Sequence, residues 1–210
     1  MPKLPTEEQL TKLIAAAGKT LSLKLWLSKE TGIRPTELHA LLVRNIDIEH
    51  NAVNPTTAKH GCARILKIPP NLTKALQDHI IRNNLTPNDK LFKGNARKYG
   101  DNFRVMRSRL AKRTNDPSLT TVRLYDFRHW FATMRYWKYR DVGLTATDMG
   151  HKDWNTTQKY VHLLKILEMI KEDEWICKTA TNITEATQLI EHGFEYITEM
   201  DGIKLFRKRK

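Results

Sequence analysis

The sequence predicts a mainly α fold with a small antiparallel β-sheet (α+β), followed by a C-terminal α–β–β extension. Three observations predict it. Apolar residues recur at spacings of three and four over most of the chain between Thr6 and Cys177. Two short alternating runs, "IDI" and "ARILKI", flank the polar stretch "NPTTAKHG". The terminal "FEYITEMDGIKLFRKRK" alternates around Asp201-Gly202, a dipeptide that signals a tight hairpin.

Each element has a local reason. Thr6 followed by Gln9 has capping-box spacing, so a helix is expected from there to about Gly18. "LSLKLWLSKETG" is apolar enough for a buried helix, with Gly32 as its stop. Pro35 suits the first turn of a helix over "PTELHALLV". "IDI" and "ARILKI" then form the small sheet, with a loop between them. "LTKALQDHIIRNN", the strongly basic "YGDNFRVMRSRLAKR" and the aromatic-rich "LYDFRHWFATMRYW" all carry helical spacing, and "ATDMG" ends a further helix at Gly150. A long helix is expected from about Leu163 to Cys177, and a short one over "ITEATQLIEHG", closed by Gly193. The expected domains are residues 1–178 and a small helix–hairpin extension, 179–210. A two-stranded hairpin is marginal alone, so the apolar residues from Leu189 to Phe206 are expected to dock it, in cis or on a neighbouring protomer.

The bulk numbers narrow the function. A chain of 210 residues with 40% hydrophobic and 28% charged residues can build a core. No apolar run approaches the ~18–20 residues of a membrane span. "MPKLPTEEQL" lacks the layout of a signal peptide, so a soluble, cytoplasmic protein with no membrane partner is expected. Cys62 and Cys177 form no CxxC, and no HExxH occurs, which argues against a metal site. Net charge is +13, which points to a polyanionic partner. Acids and bases balance over 179–210, so the excess belongs to residues 1–178. Between Lys93 and Arg113 the only acid is Asp101, and Arg97, Lys98, Arg104, Arg107 and Arg109 are the candidate phosphate contacts.

Three separated stretches carry the chemistry. "TGIRPTEL" presents Arg34 and Glu37, "LYDFRHWFAT" presents Tyr125, Arg128 and His129, and "MGHKDWNTTQKYVH" presents His151 and Tyr160. In this order and combination they resemble the catalytic domain of the tyrosine recombinases, the phage and archaeal integrase family, over about residues 6–165. The resemblance implies a site-specific DNA recombinase. Its tyrosine attacks a phosphodiester of double-stranded DNA, giving a 3′-phosphotyrosyl bond and a free 5′-hydroxyl, with no cofactor and no metal. Arg34 and Arg128 match the two family arginines, whose planar, permanently charged forks suit a phosphate that gains negative charge. Lys59 matches the hairpin-loop lysine that protonates the leaving oxygen, and Lys67 in the following strand is a poorer match. His151 would assist proton transfer or hold the phosphate, and Tyr160, at GH-x₈-Tyr spacing, is the nucleophile. One position departs from the family: Tyr125 stands where a histidine is usual. Its hydroxyl can still donate to a phosphate oxygen, but a phenol is a poor base.

The same residues admit blander readings. His129 reads as a hydrogen-bonded structural histidine and Trp154 as packing. The resemblance further implies a homo-oligomer on DNA, dimer or tetramer, and a mobile element such as an archaeal virus or plasmid. The alternatives are cleavage and religation without strand exchange, as in type IB topoisomerases, and a non-catalytic DNA-binding scaffold. Because the catalytic motifs begin so near Met1, the family's N-terminal DNA-clamping domain is expected to be missing, and DNA binding to be weak and salt-sensitive.

Overall fold

The computed structural model describes residues 4–55, 62–153, 155–161, 163 and 175–209. Thr6 opens α1 (Glu7–Ala16) with the capping box expected of it: its side chain accepts from the Gln9 amide, and the Gln9 side chain accepts from the Thr6 amide. Helix α2 (Lys19–Thr31) ends at Gly32 in the left-handed conformation, and Pro35 opens the short α3 (Pro35–Ala40). Helices α4 (Pro70–Arg82), α5 (Ala96–Thr114), α6 (Asp126–Tyr139) and α7 (Val142–Met149) follow, with 3₁₀ turns at Val43–Asn45 and Pro117–Thr121. Residues 155–161 form one more helix, α8. None of the described helices is long and apolar enough to cross a membrane.

The small sheet is three-stranded and antiparallel: β1 (Ile46–Asp47), β2 (Ala52–Val53) and β3 (Leu66–Lys67), in that order. The sequence expectation paired two runs and overlooked the middle strand, since two residues, Ala52 and Val53, show no alternation to detect. In the β3 run, Arg64, Leu66 and Ile68 face inward while Ile65 and Lys67 face out. That alternation carries an arginine into the interior.

Helix α2 packs against α1, α4 and α6. The main core joins Leu10 and Leu13 of α1, Leu25 and Leu27 of α2, Leu72 and Leu76 of α4, Phe103 of α5 and Phe127 of α6. Each such side chain stabilises the fold by about 1.5–3 kcal/mol on burial. A second, smaller core joins Leu66, Phe131, Ala132, Met149, Tyr160 and Leu163. It ties β3, α6, α7 and α8 together, and Arg128, His129, His151 and Tyr160 lie on or next to those segments.

The chain divides into two compact units, 1–164 and 165–210. The second contains β4 (Trp175–Ala180), α9 (Ile183–Glu191), β5 (Glu195–Met200) and β6 (Ile203–Arg209), with the antiparallel order β4-β6-β5. The expected boundary at residue 178 therefore falls inside a strand, and the helix expected to run to Cys177 does not. Residues 175–177 pair instead with 207–209 of β6. Such a ladder spans far more chain than local spacing can report. Asp201 and Gly202, with φ of 52° and 74°, make the expected tight turn. This unit's own core is Ala180, Ala186, Phe194 and Phe206, with Leu189 against it. Ile190, Tyr196, Ile197 and Ile203, expected to add to that face, are exposed.

Candidate active site

Arg128 sits in the first turns of α6 with its side chain fully buried. A guanidinium survives burial only where its donors find acceptors. Nη1 donates to the Gly32 carbonyl at 2.5 Å, and Nη2 donates to the Met149 carbonyl at 2.7 Å. These carbonyls belong to the C-terminal ends of α2 and α7, where the helix dipole is negative. Nη2 also meets His151 Nε2 at 3.0 Å. Arg128 Nε has no hydrogen-bond partner among the described residues. Burial, and then the neighbouring charge of Arg34, pull the guanidinium down to about 10, which keeps it charged at neutral pH.

Arg34 is oriented by Glu37. Pro35 starts α3, so the side chain of Glu37 folds back to accept the Arg34 amide at 3.0 Å and Arg34 Nη1 at 2.7 Å. Glu37 is itself fully buried, and its second partner is Arg64, whose Nη2 donates to Oε2 at 2.7 Å. Burial pushes the carboxyl up, but the bonds from Arg64 and Arg34 outweigh it and hold Glu37 below the usual carboxylate range. Arg64 was not anticipated as part of the site. Its signal was its phase: an arginine in register with the buried Leu66 and Ile68 of a strand needs a partner inside.

His151 follows Gly150, the left-handed cap of α7. Its Nε2 faces Arg128, a group that only donates, so Nε2 is the bare nitrogen and Nδ1 carries the proton. Nδ1–H then donates to Thr157 Oγ1 at 2.8 Å. Thr157, fully buried on α8, was another residue the sequence did not single out. Burial, then the charges of Arg128 and Arg34, pull the imidazole down to about 4, consistent with a neutral ring.

Tyr160 lies on α8, one turn after Thr157, and is almost wholly buried. Burial pushes its hydroxyl up to about 12, against the pull of Arg128 and Arg34. The hydroxyl oxygen lies 3.2 Å from His129 Nδ1. His129 does have the hydrogen bond expected of a structural histidine, but its partner is the candidate nucleophile. Tyr125 caps α6, is largely exposed, and stands edge-on to the His129 ring at 5.1 Å between centroids.

The chain thus brings Arg34, Arg128, His151, Tyr160 and Tyr125 into one neighbourhood, each felt electrostatically by at least one of the others. Lys59 lies outside the described residues. On α5, Arg97, Lys98, Arg104 and Arg109 are exposed, and Arg104 pairs with Asp101 at 2.8 Å. Arg107 departs from its expected role: it turns inward, donates to the Val122 carbonyl, and covers the Phe103 ring at 5.6 Å. Its position on the inner flank of α5 puts its aliphatic stem against the core, and its head group satisfies a loop carbonyl.

Residues 4–166 match the phage integrase family model. The chain is 32% identical over 159 residues to tyrosine recombinase XerA of Saccharolobus solfataricus, covering 75% of this chain and 51% of that protein. It is 27% identical over 167 residues to tyrosine recombinase XerA of Pyrococcus furiosus, covering 78% of this chain and 58% of that protein. The chain therefore spans about half the length of these curated relatives. Among solved structures, the crystal structure of XerA recombinase aligns over 93% of this chain and 65% of its own, with a TM-score of 0.64 and 24% identity. The Tn1549 transposon integrase in complex with transposon right end DNA covers 80% of this chain and 65% of its own, at 0.66 and 16% identity. Those structural likenesses carry the fold, and the sequence matches carry the kinship: this chain belongs to the phage integrase family.

Proposed function

We propose that this chain is the catalytic part of a site-specific DNA recombinase that cleaves and rejoins double-stranded DNA through a 3′-phosphotyrosyl intermediate. The carrying observation is that Arg128 and Arg34 both act electrostatically on the hydroxyl of one buried tyrosine, Tyr160, while Arg128 also contacts His151. Tyr160 attacks the scissile phosphorus. Arg34 and Arg128 stabilise the charge that builds on the non-bridging oxygens. His151, held by Thr157, orients Arg128 toward the phosphate, and Lys59 protonates the leaving 5′-oxygen. Tyr125 donates to a phosphate oxygen in place of the usual histidine. The enzyme works as a homo-oligomer on DNA.

A nicked suicide substrate tests this reading, because loss of a short strand traps the covalent complex. The parent protein should form a protein–DNA adduct. Tyr160→Phe should bind the same DNA and form none, since only the hydroxyl is lost. A normal adduct from Tyr160→Phe would remove Tyr160 from the role of nucleophile. Adduct without recombinant products would point instead to cleavage and religation alone. No adduct at all would leave a DNA-binding scaffold.

A further inference from the structure

We propose that His129 is the general base for the nucleophile, taking the Tyr160 proton on Nδ1 as the phenolic oxygen attacks phosphorus; this rests on the recombinase reading above. Geometry comes first. Nδ1 lies 3.2 Å from the Tyr160 hydroxyl oxygen, with the ring centroids 5.8 Å apart, which is within reach for direct proton transfer. Both side chains are buried, so solvent does not easily take the proton. The site's other imidazole is committed: His151 Nε2 accepts from Arg128 and its Nδ1 faces Thr157. Tyr125, in the position where the family resemblance leads one to expect a histidine, is a poor base.

The surroundings of His129 keep it unprotonated before DNA arrives. Tyr125 and Tyr160 face its ring, and Lys159, Asp126, Arg123 and Arg128 act on it through space. Burial, followed by Lys159, pulls its imidazole down to about 4. A neutral ring at pH 7 has a free nitrogen, and the protonated Tyr160 hydroxyl is the donor to it. The low basicity of the resting ring is no obstacle. A phosphodiester entering the site brings a negative charge that favours imidazolium, and the phenol's hold on its proton collapses once its oxygen bonds to phosphorus. The step balances: the Tyr160 Oη–phosphorus bond forms while the phosphorus–O5′ bond breaks. The phenolic proton passes to His129, and O5′ takes a proton from Lys59 or water.

The test is single-turnover cleavage of the suicide substrate by the full chain, with DNA binding measured separately. His129→Ala should slow adduct formation by about 10²–10⁴-fold with DNA affinity unchanged. Added imidazole should recover part of the loss. Replacing Tyr160 by a fluorinated tyrosine, whose hydroxyl ionises more readily, should shrink the His129→Ala defect, because an acidic nucleophile needs less help. His129→Asn, which keeps a polar group near the Nδ1 position, covers the case in which the alanine variant does not fold, and should show the same fluorotyrosine dependence. An adduct from the parent together with undiminished rates in both variants would overturn the base assignment alone. So would a defect of equal size with and without fluorination, which marks a packing role. No adduct from the parent would overturn the recombinase reading and this assignment with it.

Discussion

Gly150 stands at φ +62°, and a Cβ placed on it would lie 2.6 Å from Arg64 Nη1 and 3.1 Å from the Cys62 carbonyl oxygen. The Arg64 side chain cannot swing away freely, because its other terminal nitrogen is bound to Glu37. The Cys62 amide also donates to the Gly150 carbonyl at 3.4 Å, so the two segments are laced together. Gly150→Ala should therefore cost more than the roughly 1–2 kcal/mol of left-handed strain alone. It should lower the melting temperature by several degrees and slow cleavage through Arg64, Glu37 and Arg34. Gly150→Asn separates the two causes. Asparagine tolerates the backbone conformation but carries the same Cβ, so it should recover the strain part of the loss and keep the part due to the clash with Arg64 and Cys62. Parent-like stability in Gly150→Asn would show that backbone conformation alone mattered. At this scale the candidate catalytic residues could be picked out because their types and spacings are specific in combination. What was not legible is how they are held. Nothing in "HKDWNTT" distinguishes Thr157 from Thr156, yet only Thr157 is fully buried and faces His151.

Helix α5 shows what an element's charge run does and does not say. Eight basic residues between Lys93 and Arg113 share one stretch of chain, but the helix turns them to different surroundings. Arg97, Lys98 and Arg109 are exposed, whereas Arg107 is half-buried against Phe103 and Val122. Arg97→Ala, Lys98→Ala and Arg109→Ala together should weaken binding to all DNA sequences alike. The slope of log affinity against log salt should flatten by about 0.9 for each phosphate left without its cation. Arg107→Ala should leave that slope unchanged and lower stability instead, since it strips the Val122 carbonyl of its donor and the core of an aliphatic stem. Titration of DNA binding at several salt concentrations, beside thermal melts, checks both. A flattened slope in Arg107→Ala, or an unchanged one in the triple variant, would reverse the assignment. Element types were readable wherever the signal was local: the Thr6 capping box, the Gly32 stop, Pro35 and the Asp201-Gly202 turn all sit where expected. The failures were long-range. Strand β4 forms because β6 offers it a partner, and Trp175 to Cys177 alone carry no pattern that separates strand from helix.

At the scale of the whole molecule, three imidazoles in the first unit, two buried and one half-buried, share one electrostatic fate. His39, His129 and His151 are each pulled from an ordinary value of 6.5 down to about 4, first by burial and then by neighbouring cations. For His39 those cations are Lys24 and Lys90, and its ring packs against Tyr99 rather than against the candidate active-site residues. The first cause is the same for all three rings, burial, and specific neighbouring cations add to it in each. The sign of the consequence follows from proton counting. Between pH 6.5 and about 4 the unfolded chain binds protons on these rings that the folded chain does not. Stability must therefore rise with pH through that window. It is fully present above pH 6.5 and is lost as pH falls toward 4. Melts at pH 7 and pH 5 should show a clear loss of stability at the lower value, larger than surface carboxylates alone produce, since most of those remain ionised at pH 5. His39→Leu isolates the effect away from the candidate active site. It removes one group that must stay neutral in the fold, and should flatten the dependence on pH by up to one proton's worth. Equal pH dependence in the parent and in His39→Leu would show that His39 titrates alike in folded and unfolded chains.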